Sequence, residues 1–461
     1  MSLVGPDAEG LRRWIEEVAA GRIAHCARQP TVREAWAIDV ARPDGTTEAL
    51  FLRCDRGEAF GINAQYSLER EARVLGALGD TAVPVPRIFG FSRTHKAILM
   101  ERVPGRNDFH KIADPDERER IATHFMECLA ELHALSPEKL DLGELRAPQT
   151  PQEHASLELD ASEKLLAGLT TRREPLLSFA LGWLRRNLPE RVARTSLLQG
   201  DTGPGNFLFH KGRVSAVLDW EFAHFGDPLE DLGWICVRDV ATPFGDLGAR
   251  FRLYEKLSGV PVDLARVRYY RVAAMVRTVG ALVLANQALD ASADVTTLLA
   301  WEVLYARMTC ASLGEAMGIE TPDGGLPELL PETPRSPLFA LAVAQVRDLP
   351  LARPEDPYLV HRRGGMVGLL EHLLLAERLG PACDAQELDE QGAILGRRPA
   401  SLEAGLAALD SLARASGASR EPELLAYFTR RAARAQALFA PAMGELAGGR
   451  LSPIDFGDRS E

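Results

Sequence analysis

At 461 residues the chain exceeds what a single hydrophobic core usually organises, which predicts two or three packed units. Its 46% hydrophobic and 26% charged residues are the composition of an ordinary soluble globular protein. The formal net charge of −12 gives the long-range field the wrong sign for attraction to nucleic acid or to an anionic membrane, so neither is an expected partner.

The N-terminal stretch MSLVGPDAEGLRRW lacks a long apolar segment of the signal-peptide kind, and it opens a short amphipathic element. Residues 31–103 then read as strand-rich. TVREAWAIDV and TEALFLRCD show partial alternation and are separated by Pro43-Asp44-Gly45, which predicts a hairpin. SLEREARVLGAL predicts a helix with Ser67 as its N-cap, and VPVPRIFGFS and KAILMERV predict two further extended segments.

From about residue 115 helices dominate, beginning with ERERIATHFMECLAELHAL, where Ile121, Phe125, Cys128, Leu129 and Leu132 recur at helical spacing. The exception is a pair of short strands around LLQGDTGPGNFLF and VSAVLDWEF. The most apolar helical stretch, AAMVRTVGALVLANQAL, is interrupted by Arg277, so no membrane span is expected. Five prolines within residues 321–337 predict a linker, and the amphipathic segments beyond it predict a helical module for docking or homodimerisation. Cys26, Cys54, Cys128, Cys236, Cys310 and Cys383 form no CxxC or CxxxC pair, as in a reduced chain, and the expected location is cytoplasmic.

The loop between Leu198 and Phe207 carries Asp201 and Asn206, and thirteen residues after Asn206 comes Asp219, at the end of an apolar run. An acid and an amide before one strand and an acid after the next can converge at one edge of a hairpin. Hard oxygen donors of this kind suit Mg²⁺ together with phosphate. Phosphoryl transfer needs that set plus one acid to orient the attacking hydroxyl, which assigns Asp201 to the hydroxyl and Asn206 and Asp219 to the metal. Turn formation is the plain alternative for Asp201 and Asn206. Asp227, followed by Pro228 and Glu230, reads as a helix cap, and Asp231 is read as structural too.

In the N-terminal part, Glu71 shares a helical stripe with Leu68, Leu75 and Leu78, and Arg53 shares a strand face with Ala49 and Phe51. Two inward charges of opposite sign predict a pair, in which the carboxylate holds the guanidinium toward nucleotide phosphates. A purely structural ion pair is the alternative.

Taken in order, Arg53, Glu71, MERVPG, QGDTGPGN and LDWEFAHFGDPLEDLGW resemble the aminoglycoside phosphotransferase-like family, nearest to members related to the kinase domain of acyl-CoA dehydrogenase 10 and 11 proteins. The resemblance covers roughly residues 25–320. It implies an α+β, bilobal protein-kinase-like fold with a small β-rich N-lobe and a helical C-lobe bearing a catalytic hairpin, with residues 1–103 as the nucleotide-binding lobe and 104–320 as the helical lobe with the catalytic and metal site. The proline-rich linker, 321–337, and the C-terminal helical domain, 338–461, lie beyond it and are read from composition and periodicity.

The implied activity is transfer of the ATP γ-phosphate, with Mg²⁺, to a hydroxyl of a small molecule. Asp201 matches the catalytic acid, Asn206 and Asp219 the metal-binding pair, Arg53 the phosphate-contacting cation and Glu71 its helix partner. Backbone groups of Glu101 and Val103 would bond adenine. The sequence departs from the family pattern in three places. Gln199 stands where His is frequent, the segment CARQPTVREAW expected to cover the nucleotide has no glycine, and Arg53 stands where protein kinases use Lys. The competing reading is a nucleotide-binding pseudokinase that acts through its C-terminal helices. The apolar stretch 272–289, with Arg271 and Arg277, leans toward a hydroxyacyl or lipid-like alcohol as acceptor rather than an aminoglycoside.

Overall fold

The computed structural model describes residues 8–29, 34–54, 68–143, 145–168, 173–287, 294–322, 324–352, 354 and 357–456. The chain divides into two compact units, one of Met1–His154, Glu190–Val267 and Ser452–Glu461, the other of Ala155–Pro189 and Arg268–Leu451. In chain order the first elements are α1 (Ala8–Val18), β1 (Arg22–Arg28), β2 (Glu34–Ala41), β3 (Thr47–Cys54), α2 (Leu68–Leu78), β4 (Ile88–Ser92), β5 (Ala97–Glu101) and α3 (Pro115–Ala134). Next come α4 (Pro151–Ala167), α5 (Pro175–Arg186), β6 (Ser196–Leu198), β7 (Phe207–His210), β8 (Arg213–Val217) and β9 (His224–Gly226). The helices α6 (Leu229–Asp239), α7 (Leu247–Ser258), α8 (Leu264–Gln287), α9 (Val295–Met317), α10 (Ser336–Arg347), α11 (Pro357–Leu395), α12 (Leu402–Ala415) and α13 (Glu421–Met443) complete the fold, which is α+β.

In the first unit β1 to β5 form one antiparallel sheet in the order β1-β2-β3-β5-β4. The predicted hairpin is β2 and β3, closed by a turn in which Asp44 Oδ1 accepts from Thr46 N at 2.9 Å and Gly45 takes a φ of +84°. One face of the sheet carries Trp36, Ile38, Val40, Leu50, Leu52 and Leu99, all buried against Leu11 and Ile15 of α1. The two-residue period then sends Arg53 to the opposite face, on the side of α2. Strand β1 lies ahead of the expected strand-rich stretch. Only Cys26 of its seven residues is buried, so an edge strand of this kind carries no alternation for a sequence reading to detect. Ser67, the expected helix cap, and residues 30–33 of the expected nucleotide-covering segment lie outside the described residues.

Helix α3 begins at Pro115 with Asp114 as N-cap, whose side chain accepts from Asp116 N, and it buries the predicted stripe of Ile121, Phe125, Cys128, Leu129 and Leu132. It packs on α7. Phe125 stacks on Phe207 of β7 at 4.5 Å between ring centroids, and Phe109 meets Phe207 edge-on at 6.0 Å. The two strands flanking the 199–206 loop do not pair with each other as the two arms of a hairpin would. β6 pairs with β9 and β7 pairs with β8, so the loop passes from one two-stranded sheet to another.

In the second unit α13 packs on α9 and α11, α10 packs on α11, and α5 packs on α12. Helix α11 runs for 39 residues and continues through Pro381, where Gly-Pro would ordinarily end a helix. Leu379 and Cys383 on either side are buried, and this packing outweighs the local preference. No described residue between Met317 and Ser336 is helix or strand. All six cysteines are buried, and none is joined in a disulfide among the described residues. No helix among the described residues is long and apolar enough to cross a membrane.

Phe207 is fully buried and joins β7 to α3. Replacing it with alanine is expected to destabilise the protein by about 3–5 kcal/mol, read as a lower urea midpoint at unchanged m-value.

Candidate active site

The loop from Gln199 to Asn206 is held from beneath by one carboxylate. Asp231, on the first turn of α6 and fully buried, accepts Gln199 N at 2.9 Å on Oδ2 and Gly200 N at 3.0 Å on Oδ1. His133 of α3 places Nε2 3.0 Å from the same Oδ2, and its Nδ1 lies 2.7 Å from the Tyr254 hydroxyl of α7. Burial works to raise the Asp231 pKa, yet the hydrogen bonds and charge of His133 and the loop amides outweigh it and hold the carboxyl below its ordinary value of 3.8. Gly200 adopts a φ of +79°, and a Cβ there would lie 2.5 Å from Phe222 O, so only glycine fits between the anchor and that carbonyl.

Gln199 also braces the loop. Its Nε2 donates to the carbonyls of Leu218 and Asp219, each at 2.9 Å, and its Oε1 accepts Asp201 N at 2.9 Å. A neutral amide does this with both ends, tying the Asp201 main chain to the Asp219 main chain without a transferable proton.

Asp201 and Asn206 come together as the spacing suggested: Asn206 Nδ2 donates to Asp201 O and to Asp201 Oδ2, both at 2.8 Å. Asp201 has a second partner that sequence reasoning missed. Arg238, on the last turn of α6, donates from Nε to Oδ1 at 2.8 Å and from Nη2 to Oδ2. Burial pushes the Asp201 carboxyl above its ordinary range, and the Arg238 charge opposes that rise. Arg238 follows the apolar run Ile235-Cys236-Val237, and nothing in that local pattern marks it as a site residue.

The predicted pair of Arg53 and Glu71 is formed, with Nη1 2.7 Å from Glu71 Oε1, and Glu71 is buried. The same Nη1 donates to Asp219 Oδ1 at 2.6 Å, and Nη2 lies 3.4 Å from Glu221 Oε2. Burial favours loss of the Arg53 proton, but the three carboxylates more than offset it and keep the guanidinium charged. One strand cation thus gathers an acid from α2 and two from the turn after β8. Asp219 takes a left-handed backbone conformation at φ 57° and ψ 63°, which turns the chain sharply at this point. Glu221 stands inside the quoted DWEF motif, but only the fold shows it facing Arg53.

Glu101 ends β5, and its amide donates to Arg87 O at 2.8 Å. The chain then passes Val103 and meets β7, where Arg106 N donates to Phe209 O at 3.1 Å and Phe209 N donates to Arg106 O at 2.9 Å. The segment bearing Glu101 and Val103 is thereby tied to the strand that follows the 199–206 loop. Pro228 is the N-cap of α6 rather than Asp227, and Asp227 Oδ1 accepts Leu229 N, the first amide of the helix, at 3.1 Å. Arg271, weighed as an acceptor-facing cation, is fully buried in the second unit and ion-paired with Glu315, so its charge serves the helix packing.

Among the described residues no three His, Cys, Asp or Glu side chains cluster as a metal site. The donors that do lie here are oxygens. The Asn206 Nδ2 is engaged by Asp201, which leaves the amide Oδ1 to face elsewhere, and the Asp219 side chain is 39% exposed. An amide oxygen and a carboxylate of this kind fit a hard divalent cation that completes its shell with phosphate and water.

Residues 41–246 match the model of the phosphotransferase enzyme family, so the resemblance carried by the motifs extends over the whole of this site. The fold agrees: a solved structure from Ralstonia eutropha JMP134, provisionally described as an aminoglycoside phosphotransferase, superposes with a TM-score of 0.53 at 22% identity over 68% of this chain and 99% of that one. Among curated proteins the chain is similar to acyl-CoA dehydrogenase family member 10 of Mus musculus, at 29% identity over 38% of this chain and 17% of the relative. It is also similar to family member 11 of Rattus norvegicus, at 32% identity over 36% of this chain and 22% of the relative. The chain therefore spans less than a quarter of the length of these relatives.

Replacing Asp231 with asparagine removes a charge that His133 and two loop amides share, and is expected to destabilise the protein by about 3 kcal/mol at neutral pH. Because the folded-state pKa lies below the unfolded one, this contribution is present above the ordinary value of 3.8 and is lost as the pH falls through the folded value. Urea unfolding of wild type and variant should therefore differ most near neutrality and converge below about pH 4.

Proposed function

We propose that the protein is an ATP- and Mg²⁺-dependent phosphotransferase acting on a hydroxyl of a small molecule. The observation that carries this reading is the meeting of two charge systems: Asp201 with Asn206 on an anchored loop, and Asp219 drawn to the Arg53–Glu71 pair. A structural loop would need neither the second acid nor a strand arginine directed at it.

In this reading Asp201 orients the acceptor hydroxyl and takes its proton on a carboxylate oxygen, while Asn206 keeps that carboxylate in place. Asn206 Oδ1 and the Asp219 carboxylate hold magnesium, which when bound supplies charge neutralisation to the phosphate oxygens. Arg53, kept charged and aimed by Glu71, donates to the phosphates, and its guanidinium can do so with two parallel donors. Main-chain groups of Glu101 and Val103 receive adenine, and Gln199 keeps the loop rigid. In the same reading residues 1–103 are the nucleotide-binding lobe, 104–320 the catalytic lobe, 321–337 a linker and 338–461 a helical domain that dimerises with a second copy. A hydroxyacyl or lipid-like alcohol is the proposed acceptor class.

ATP consumption against a panel of hydroxylated acceptors tests the reading. Asp201→Asn is expected to lower turnover by about a hundred- to ten-thousand-fold with nucleotide affinity retained. Asp219→Asn should shift the magnesium requirement to higher concentration. Full-rate turnover in Asp201→Asn would sink the assignment, and nucleotide binding without turnover on any acceptor would favour the pseudokinase.

A further inference from the structure

Residues 452–461 belong to the first unit, although the chain before them, through Leu451, belongs to the second. The described part of this stretch, Ser452–Phe456, is fastened at several points. Ser452 Oγ donates to Oδ2 of Asp239, the last residue of α6, at 2.5 Å, and Ile454 is buried. The Asp455 carbonyl lies against Gly248 on the first turn of α7, where a Cβ would collide with it, so the close approach requires glycine. At Phe456 the main-chain oxygen accepts from Arg252 Nη1, and the Arg252 guanidinium stands 5.8 Å from the ring centroid.

Asp239 carries this anchorage inward. It is buried, and its two oxygens take one donor each, the Ser452 hydroxyl on Oδ2 and the Phe244 amide on Oδ1 at 2.6 Å. Burial pushes its carboxyl above the ordinary range, and the two donors oppose that rise. Removing either donor leaves a buried acceptor short of a partner, which the surrounding turn must rearrange to satisfy. Phe244 is fully buried among Phe109, Phe125 and Phe207, at 5.3, 5.7 and 6.4 Å between ring centroids, and Phe207 directly follows Asn206. The residue before Asp239 is Arg238, whose Nε and Nη2 hold Asp201. The final carbonyls of a helix lack partners within it, so contacts of this kind fix how its last turn is set.

We infer that Ser452 and Asp239 are positioning residues for phosphotransfer: the segment Ser452–Phe456 braces the last turn of α6 and thereby sets the Arg238 guanidinium against Asp201 and the Phe244 ring beside β7. The inference rests on the phosphotransfer reading of Asp201. Neither residue touches acceptor or nucleotide in it; both act through Arg238 and Phe244.

The test uses the full chain with Ser452→Ala, Ser452→Thr and Gly248→Ala, the last displacing Asp455 without altering α6. ATP consumption is followed against the same panel of hydroxylated acceptors, water included. The Arg238 Nε–H proton is followed by nitrogen-15 NMR, its signal assigned by its loss in Arg238→Lys. In Ser452→Ala kcat is expected to fall about ten- to a hundredfold with the KM for ATP nearly unchanged, and exchange of the Nε–H proton with water to quicken about tenfold. Ser452→Thr, which keeps the hydroxyl, should restore both, and Gly248→Ala should reproduce the Ser452→Ala pattern. A segment that merely fills space would lower the urea midpoint while leaving kcat and the Arg238 signal as in wild type, and that result overturns the inference. Should the Arg238 signal respond to Ser452 while wild type consumes no ATP with any acceptor, the phosphotransfer reading fails and the brace stands. If turnover depends on Asp201 but is indifferent to both Ser452→Ala and Gly248→Ala, the inference alone fails.

Discussion

The geometry of the site depends on a buried negative charge that touches neither end of the proposed chemistry. Asp231 sits at the start of α6 with no exposed surface, and its two oxygens take the amides of Gln199 and Gly200 together with the His133 ring. A lone buried carboxylate would be costly by several kcal/mol, and several well-placed donors are what make it tolerable. Satisfying those oxygens from α3 and from the loop ties both to α6, and Tyr254 extends the same chain of hydrogen bonds to α7. The loop is therefore held by α3 and by the start of α6, while Arg238 at the other end of α6 takes the Asp201 side chain.

Arg53 plays the complementary part on the sheet side. Its guanidinium meets three carboxylates from two separate stretches of chain, so the strand, α2 and the turn after β8 share one charge. Attraction between such partners at an effective dielectric near 20 is about 4 kcal/mol per pair at 4 Å before desolvation is counted. Much of that is offset by burial, so the cluster orients more than it stabilises.

Much of this was legible in the residues. Glu71 on an apolar helical stripe and Arg53 on a covered strand face are each unfavourable unless paired, and pairing is what the fold shows. Asp201 and Asn206 contact one another as their spacing within one short loop suggested, and Asp227 accepts the first amide of the helix that follows it. Other features were not legible for identifiable reasons. Arg238 belongs to a helix whose apolar pattern says only that it packs, and its rotation toward Asp201 depends on how α6 docks under the loop. Asp231 looked like a second helix-start acid because N-terminal acids are common on helices, and only its burial beneath Gln199 and Gly200 distinguishes it. Strand β1 lacks the alternation that reveals half-buried strands, and α11 overrides a Gly-Pro break through contacts far away in sequence.

By itself the sequence determined whatever follows from period, charge and short-range stereochemistry: the β2–β3 hairpin, the α3 stripe, the inward charges that require partners and the glycines that permit a tight loop. These are local consequences of backbone geometry and of the penalty for burying an unpaired charge. The β7–β8 hairpin was legible in the sequence, but tertiary structure alone decided that β6 pairs with β9, which carboxylate anchors the 199–206 loop, and that the acid in it faces an arginine 37 residues away. Those outcomes depend on how whole elements dock, and docking is set by the summed fit of many side chains rather than by any spacing within one segment.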